Sequence, residues 1–274
     1  MREEHASRLA QSFEDPDTID LQDIQSSVPE TTATGRVFDG VDIDRWLSST
    51  GDRKEELRQS LEHIVALGKK ERWLMSSQEL AVNPKAILGS GSFGIVCAGR
   101  LHGSPIAIKT ARTALESGGG IKHLIATANE IRILRHVRHP NVVLFHGACV
   151  ESERGEVMLV LERVLGPDLY RYVVDHGTDA DIHLRFKLLL DVACALRYLH
   201  AQNPHIVHGD LKGSNILVEP AGPRAKLVDF GLSRLLTKSV RPLGGTLDWM
   251  APEIIHRNDD QRPRPSADVF SYGR

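Results

Sequence analysis

The stretch His208-Gly209-Asp210-Leu211-Lys212-Gly213-Ser214-Asn215, with Asp229-Phe230-Gly231 downstream, decides how this chain is read. It spaces three acceptor side chains as a phosphoryl-transfer site requires. Asp210 can take a proton from an attacking hydroxyl, while Asn215 and Asp229 supply oxygens for magnesium, a hard cation that takes oxygen ligands. Lys212, two residues past Asp210, can neutralise charge on a moving phosphoryl group.

Upstream, Gly89-Ser90-Gly91-Ser92-Phe93-Gly94-Ile95-Val96 is glycine-rich and Ala107-Ile108-Lys109 is a lysine-bearing strand pattern; downstream stands Ala251-Pro252-Glu253. Alone, the glycine pattern is weak, because a plain hairpin accounts for it. A lone lysine on a strand is usually solvated, and so is an acid on a helix face. Order decides. From about Leu80 to the C-terminus the five signatures follow one another as in the eukaryotic protein kinase family, which this region resembles. The family implies an α+β, bilobal fold, with a small β-rich lobe over about 80–164 and a mainly helical large lobe over 165–274.

The resemblance also assigns roles. Leu88, Val96, Ala107 and Leu217 would enclose the adenine of ATP, with Leu161 as gatekeeper and Glu162 to Val164 as the hinge whose backbone bonds it. Gly89, Gly91 and Gly94, lacking Cβ atoms, let the backbone approach the phosphates, with Ser92 and Phe93 at the loop tip. No Gly-Lys-Ser or Gly-Lys-Thr follows, so this is no Walker loop. Lys109 would meet the α- and β-phosphates and pair with Glu130, on a helix over Ile121 to Arg135 where Thr127, Glu130, Ile131 and Leu134 share a face. Leu134, Phe145, His208 and Phe230 match the family's regulatory spine. Asn215 and Asp229 would hold Mg²⁺, with Asp210 as base. Asp-Leu-Lys-Gly-Ser-Asn, with Thr246 before Trp249-Met250-Ala251-Pro252-Glu253, resembles the Ser/Thr enzymes of the tyrosine-kinase-like group; dual specificity stays open.

The rest of the chain sets bounds. With 274 residues, 41% of them hydrophobic, it can bury one or two cores. A net charge of −2 without a basic block argues against a nucleic-acid partner. Cys97, Cys149 and Cys194 lack C-x-x-C spacing and read as reduced core thiols, fitting a cytoplasmic protein. Among the 13 histidines, no pair at metal-ligand spacing falls on an expected helix. No signal peptide or membrane span is expected. Residues 1–49 are acidic and without periodicity, an expected disordered leader. Residues 50–79 hold an amphipathic helix from Asp52, capped by Asp52 and Glu55, with Leu57, Leu61, Ile64 and Val65 on one face and Gly68 as its stop; Trp46 and Trp73 flank it. It would dock on the following domain or receive a regulatory partner. Gly118-Gly119-Gly120 reads as a flexible link, and Ile182 to His200, apolar nearly all round, as the large lobe's central buried helix.

Two departures stand out. Gly209 occupies the place of an arginine that in most relatives pairs with a phosphorylated activation segment, so phosphate on Ser233, Thr237 or Ser239 should act only modestly unless Arg234, Lys238 or Arg241 reads it. The chain also stops soon after Asp268-Val269-Phe270, which resembles the start of a long helix at the heart of the large lobe. A kinase shortened at its C-terminus is therefore expected, with a large exposed apolar patch and weak or no activity. The leading reading is an ATP- and magnesium-dependent enzyme acting on Ser or Thr of a protein. The alternative is a catalytically silent, kinase-like scaffold or nucleotide-binding module.

Overall fold

The computed structural model describes residues 53–91, 94–112, 118–151, 156–176, 181–235, 245–256 and 264–274. Helix α1 (Arg53–Glu71) leads through a single turn of 3₁₀ helix into five antiparallel strands: β1 (Leu80–Gly91), β2 (Gly94–Leu101), β3 (Ser104–Arg112), β4 (Phe145–Glu151) and β5 (Glu156–Glu162). They form one sheet in the order β1-β2-β3-β5-β4. Strand alternation divides β3 cleanly. Ile106 and Ile108 enter a core with Leu80, Cys149 and Val160, while Ala107 and Lys109 face the opposite way. Helix α2 (Gly118–Leu134) packs on β3 and β5.

Gly118 to Gly120 are therefore the first turn of α2, and the flexible link expected from the sequence is not there. Glycine costs a helix roughly 1 kcal/mol against alanine. The buried run Ala126, Asn129, Glu130, Ile133 and Leu134, at helical spacing on one face, outweighs that cost.

Helix α1 is docked, and its expected stop is displaced. Leu61 and Ile64 are buried, but the helix runs past Gly68 to Glu71. Gly68 is instead the seat of Trp73: a Cβ there would stand 2.9 Å from the indole. The reversal falls on Arg72, at φ +62°. Trp73 then bridges to the sheet, its carbonyl accepting the Ala148 N–H at 3.0 Å and its ring meeting Phe145 edge to face at 6.0 Å. Asp52, Trp46 and the expected leader lie outside the described residues.

The second half holds α3 (Leu169–His176), α4 (Ile182–His200), the short pair β6 (Ile206–Val207) and β9 (Arg234–Leu235), and the hairpin β7 (Ile216–Glu219) with β8 (Arg224–Leu227). Short helices α5 (Pro252–Ile255) and α6 (Pro265–Tyr272) follow. Asp181 caps α4 through the His183 N–H, and the helix buries Leu188, Val192, Ala195, Leu196 and Leu199, one helical stripe. Burial is one-sided: Ile182, Phe186, Leu189 and Leu190 are exposed, so an apolar patch does lie on this helix. The three cysteines are free. Among the described residues no helix is long and apolar enough to cross a membrane.

Candidate active site

Between the open face of the sheet and the β7–β8 hairpin lies a cleft of about 580 Å³, the size of a small-molecule site. Its walls come from elements far apart in sequence. Leu88, Gly89, Gly94 and Val96 descend from β1 and β2, Ala107 and Lys109 from β3, Leu161, Glu162 and Val164 from β5 and the segment after it. Asp210, Lys212, Asn215, Leu217 and Asp229 rise from below. Gly91 pairs with Gly94 at the hairpin end, and Ser92 and Phe93 lie outside the described residues.

Lys109 is the electrostatic centre. Its Nζ lies 2.5 Å from Glu130 Oε2 and 2.8 Å from Asp229 Oδ1, joining β3, α2 and the loop after β8. Burial alone would push the ammonium's pKa down, but the two carboxylates outweigh it and hold the value above the ordinary lysine range. The acids divide. Burial raises Glu130, which is fully enclosed and feels the Asp229 charge; Asp229 is also buried, but the Lys109 charge and hydrogen bond hold it below the usual carboxylate value. Glu130 Oε1 also accepts the Phe230 N–H at 3.3 Å. Asp229 itself sits at φ +64°, a conformation that non-glycine residues adopt at a cost and that is common where function over-determines the backbone.

Asp210 is the second hub. Oδ1 accepts from the Thr246 N–H (2.8 Å) and hydroxyl (2.7 Å); Oδ2 accepts from Lys212 Nζ (2.8 Å) and Asn215 Nδ2 (3.1 Å). Lys212 also donates to Thr246 Oγ1 at 2.7 Å. Asp210, Lys212 and Asn215, with Thr246 from a distant part of the sequence, thus form one hydrogen-bonded unit. Asn215 commits its amide nitrogen to the Asp210 side chain and carbonyl, which leaves its oxygen as the group available to a cation. Among the described residues no group of three or more His, Cys, Asp or Glu side chains is arranged to hold a metal, so a cation here would rest on Asp229 with an amide oxygen. His208 and Phe230 meet edge to face at 4.9 Å, and Leu134 and Phe145 are buried.

Several members of the site escaped the sequence. Lys226 on β8 clasps both oxygens of Glu162 at 2.8 and 2.9 Å, fastening the end of β5 to the hairpin below. Asp268 takes the backbone N–H groups of His208 and Gly209, and Asn129 bonds the backbone after Asp229. Asp168 and Arg171 line the cleft mouth. A charged residue between apolar neighbours, as Lys226 and Asp268 both are, was the one available signal. Ser233, read as an accessible acceptor of phosphate, is fully buried with its hydroxyl donated to the His208 carbonyl at 2.7 Å; the turn after Phe230 carries it inward. Thr237 and Ser239 lie outside the described residues.

Residues 82–274 match the family model described as protein kinase domain. The chain is 36% identical over 197 residues to the serine/threonine-protein kinase CTR1 of Arabidopsis thaliana, covering 70% of this chain and 23% of that protein. It is 36% identical over 199 residues to the probable serine/threonine-protein kinase SIS8 of the same plant, covering 72% and 18%. It is 34% identical over 201 residues to the dual specificity protein kinase shkA of Dictyostelium discoideum, covering 71% and 36%. The chain thus spans less than a quarter of the length of the two plant relatives. A buried lysine held between two acids above a hydrogen-bonded aspartate, in a region that the family model matches from Val82 to Arg274, places the chain in the protein kinase family.

Proposed function

We propose that this protein transfers the γ-phosphoryl group of ATP to serine or threonine hydroxyls of a protein substrate, with residues of about 80–164 and 165–274 forming the two lobes around the cleft. The observation that carries the reading is the Asp210 hub, a carboxylate aimed by four donors, one of them the Lys212 ammonium.

The cleft fits the nucleotide. Ala107, Val96, Leu161 and Leu217 give it apolar walls, and at Gly89 a Cβ would find nothing within 4 Å, leaving backbone open to a phosphate. Lys109, fixed by Glu130, offers its charge to the α- and β-phosphates. Asn215 and Asp229 are oxygen donors of the kind magnesium takes and would hold the ion, which would supply positive charge against that developing on the phosphates.

Chemistry then falls to Asp210 and Lys212. A carboxylate has about four lone-pair sites, and all four are engaged here. A substrate hydroxyl therefore reaches Asp210 by replacing one donor. The Thr246 hydroxyl is the one that can rotate away, while still accepting from Lys212. The substrate oxygen bonds the γ-phosphorus, the bond from that phosphorus to the ADP oxygen breaks, and the hydroxyl proton passes to Asp210; Lys212 stabilises the charge on the moving group. Names of relatives that read serine/threonine-protein kinase support the choice of acceptor. Free cysteines support a cytoplasmic location.

The test is phosphoamino-acid analysis after incubation with labelled ATP, Mg²⁺ and a mixed protein acceptor. Phosphoserine and phosphothreonine are expected, with Asp210→Ala slowing turnover by roughly 10²- to 10⁴-fold. Product that is mainly phosphotyrosine, or an unimpaired Asp210→Ala protein, overturns the reading.

A further inference from the structure

Asn129 immediately precedes Glu130 on α2, yet its side chain takes no part in the charge cluster. It is 2% exposed, and its Nδ2 points at the backbone that follows Asp229: 2.7 Å to the Ser233 carbonyl oxygen, 3.2 Å to that of Gly231 and 3.4 Å to that of Phe230. An amide nitrogen carries two protons. The shortest contact, to Ser233, is thus the principal bond, and the other two carbonyls share the second proton.

Two further observations extend this contact. Gly231 lies against α2 one turn earlier, where a Cβ would meet that of Ala126 at 3.4 Å, so helix and loop pack closely at the point Asn129 bonds. Ser233, the residue whose carbonyl Asn129 holds most tightly, donates its own hydroxyl to the His208 carbonyl at 2.7 Å. A path of neutral hydrogen bonds therefore runs from α2 through the loop after Asp229 to the residue two before Asp210. It is separate from the Lys109 ion pairs.

We infer that Asn129 is a positioning residue: it fastens the loop carrying Asp229 to the helix carrying Glu130, so that both acids reach Lys109 together. The inference rests on the kinase reading for its kinetic consequence, but not for its structural one. Lys109 has two carboxylate partners on different elements, and those elements are otherwise joined through charged groups, by Lys109 itself and by the Phe230 N–H on Glu130. A neutral amide joins them without adding charge. Removing it takes a donor from the buried Ser233 and Gly231 carbonyls, while the Phe230 carbonyl keeps the Ser233 N–H at 3.1 Å.

The test compares Asn129→Leu, which keeps volume and removes the donor, and Asn129→Asp, which presents a carboxylate to the carbonyls, with Thr127→Val. Thr127 is fully buried on the same helix, and its hydroxyl has no hydrogen-bond partner among the described residues, so its loss controls for packing alone. Hydrogen exchange and steady-state kinetics are read on the whole protein. Both Asn129 variants are expected to speed exchange of the Phe230, Gly231 and Ser233 amides by about tenfold or more, with Asp the worse, leaving β3 amides unchanged. They lower kcat by about tenfold or more while the KM for ATP moves less than about twofold. Thr127→Val does neither. Unchanged exchange in Asn129→Leu, an equal effect of Thr127→Val, or kcat at the parent value overturns the inference. Should the parent protein transfer no phosphate while the exchange pattern holds, the kinase reading falls and the fastening role stands.

Discussion

The Asp268 carboxylate, 1% exposed, accepts the Gly209 N–H at 2.9 Å through one oxygen and the His208 N–H at 2.8 Å through the other. A residue of α6 thereby fixes the backbone just ahead of Asp210. Gly209 is held at φ +79°, and a Cβ there would stand 2.9 Å from the Leu232 carbonyl oxygen.

Gly209 thus has a backbone role beside the missing arginine. Substitution by Ala imposes the left-handed penalty of about 1–2 kcal/mol and forces Leu232 to move as well. Denaturant unfolding of Gly209→Ala and Gly209→Arg should show a lower midpoint at unchanged slope. Midpoints equal to the parent would mean that Asp268 does not hold this turn in solution.

Ser233 leads to a second expectation. Its hydroxyl is enclosed and bonded to His208, so phosphate cannot be added while the loop keeps this position. Ser233→Ala should cost about 1 kcal/mol for the lost bond, whereas Ser233→Asp, which buries a charge, should cost several times more and abolish transfer. A Ser233→Asp protein with parental stability and raised activity would refute burial as the controlling factor.

The α+β fold was legible through the resemblance to protein kinases, and the residues that meet in the cleft could be named because their signatures stand at short, ordered spacings. What escaped reading was set by contacts across long separations. Lys226 and Glu162 are 64 residues apart, and Asn129 and Ser233 are 104 apart. Local rules also misled where packing overrode them. Gly68 reads as a helix stop, but Trp73 needs the space above it; Gly118 to Gly120 read as a link, but the buried stripe of α2 carries them into the helix.

Thr246 separates orientation from charge at the Asp210 hub. Thr246→Val keeps the backbone donor and removes the hydroxyl that bonds both Asp210 and Lys212. In the reacting complex the hydroxyl has left Asp210 to the substrate, so what the Val variant loses there is the bond accepted from the Lys212 ammonium; a hydrogen bond to a charged group is worth about 1.5–3 kcal/mol, so kcat should fall by roughly 10- to 100-fold. Thr246→Ser should restore it, and equal rates for Val and Ser would remove the hydroxyl from the mechanism.

Stability should fall on mild acidification, and His139 is one source. Burial, with the Arg197 charge adding to it, holds His139 below its ordinary value, and its Nδ1 accepts the Asn141 N–H at 3.1 Å, which a protonated ring cannot do. The folded state therefore binds fewer protons than the unfolded one. Its contribution is complete above the ordinary histidine value of about 6.5 and is lost as pH drops from there through the lowered folded value. His139→Phe keeps the stack on Tyr198 and removes the titration. Between pH 7 and 5.5 its stability should decline less steeply than the parent's, by up to about 1.4 kcal/mol per pH unit. Parallel profiles would rule His139 out as the source.

Trp73 should decide whether α1 is part of the folded small lobe. The indole N–H donates to Glu71 Oε2 at 2.9 Å, Arg135 pairs with the other oxygen of Glu71, and the ring lies against Phe145 beneath the seat at Gly68. Burial acts to raise the Glu71 pKa, but the Trp73 and Arg135 hydrogen bonds outweigh it and hold the acid below its usual value. Arg135 closes the C-terminal end of α2, so the same three residues tie α1 to the helix that carries Glu130. Trp73→Ala should cost about 3–5 kcal/mol, as for other buried Trp residues, and Glu71→Gln less. A double-mutant cycle between Glu71→Gln and Arg135→Met should show coupling of about 0.5–3 kcal/mol. Because the tie reaches α2, both single variants should also lower kcat more than they raise the KM for ATP. Loss of stability with kinetics unchanged would confine α1 to packing and leave the Lys109–Glu130 pair independent of it.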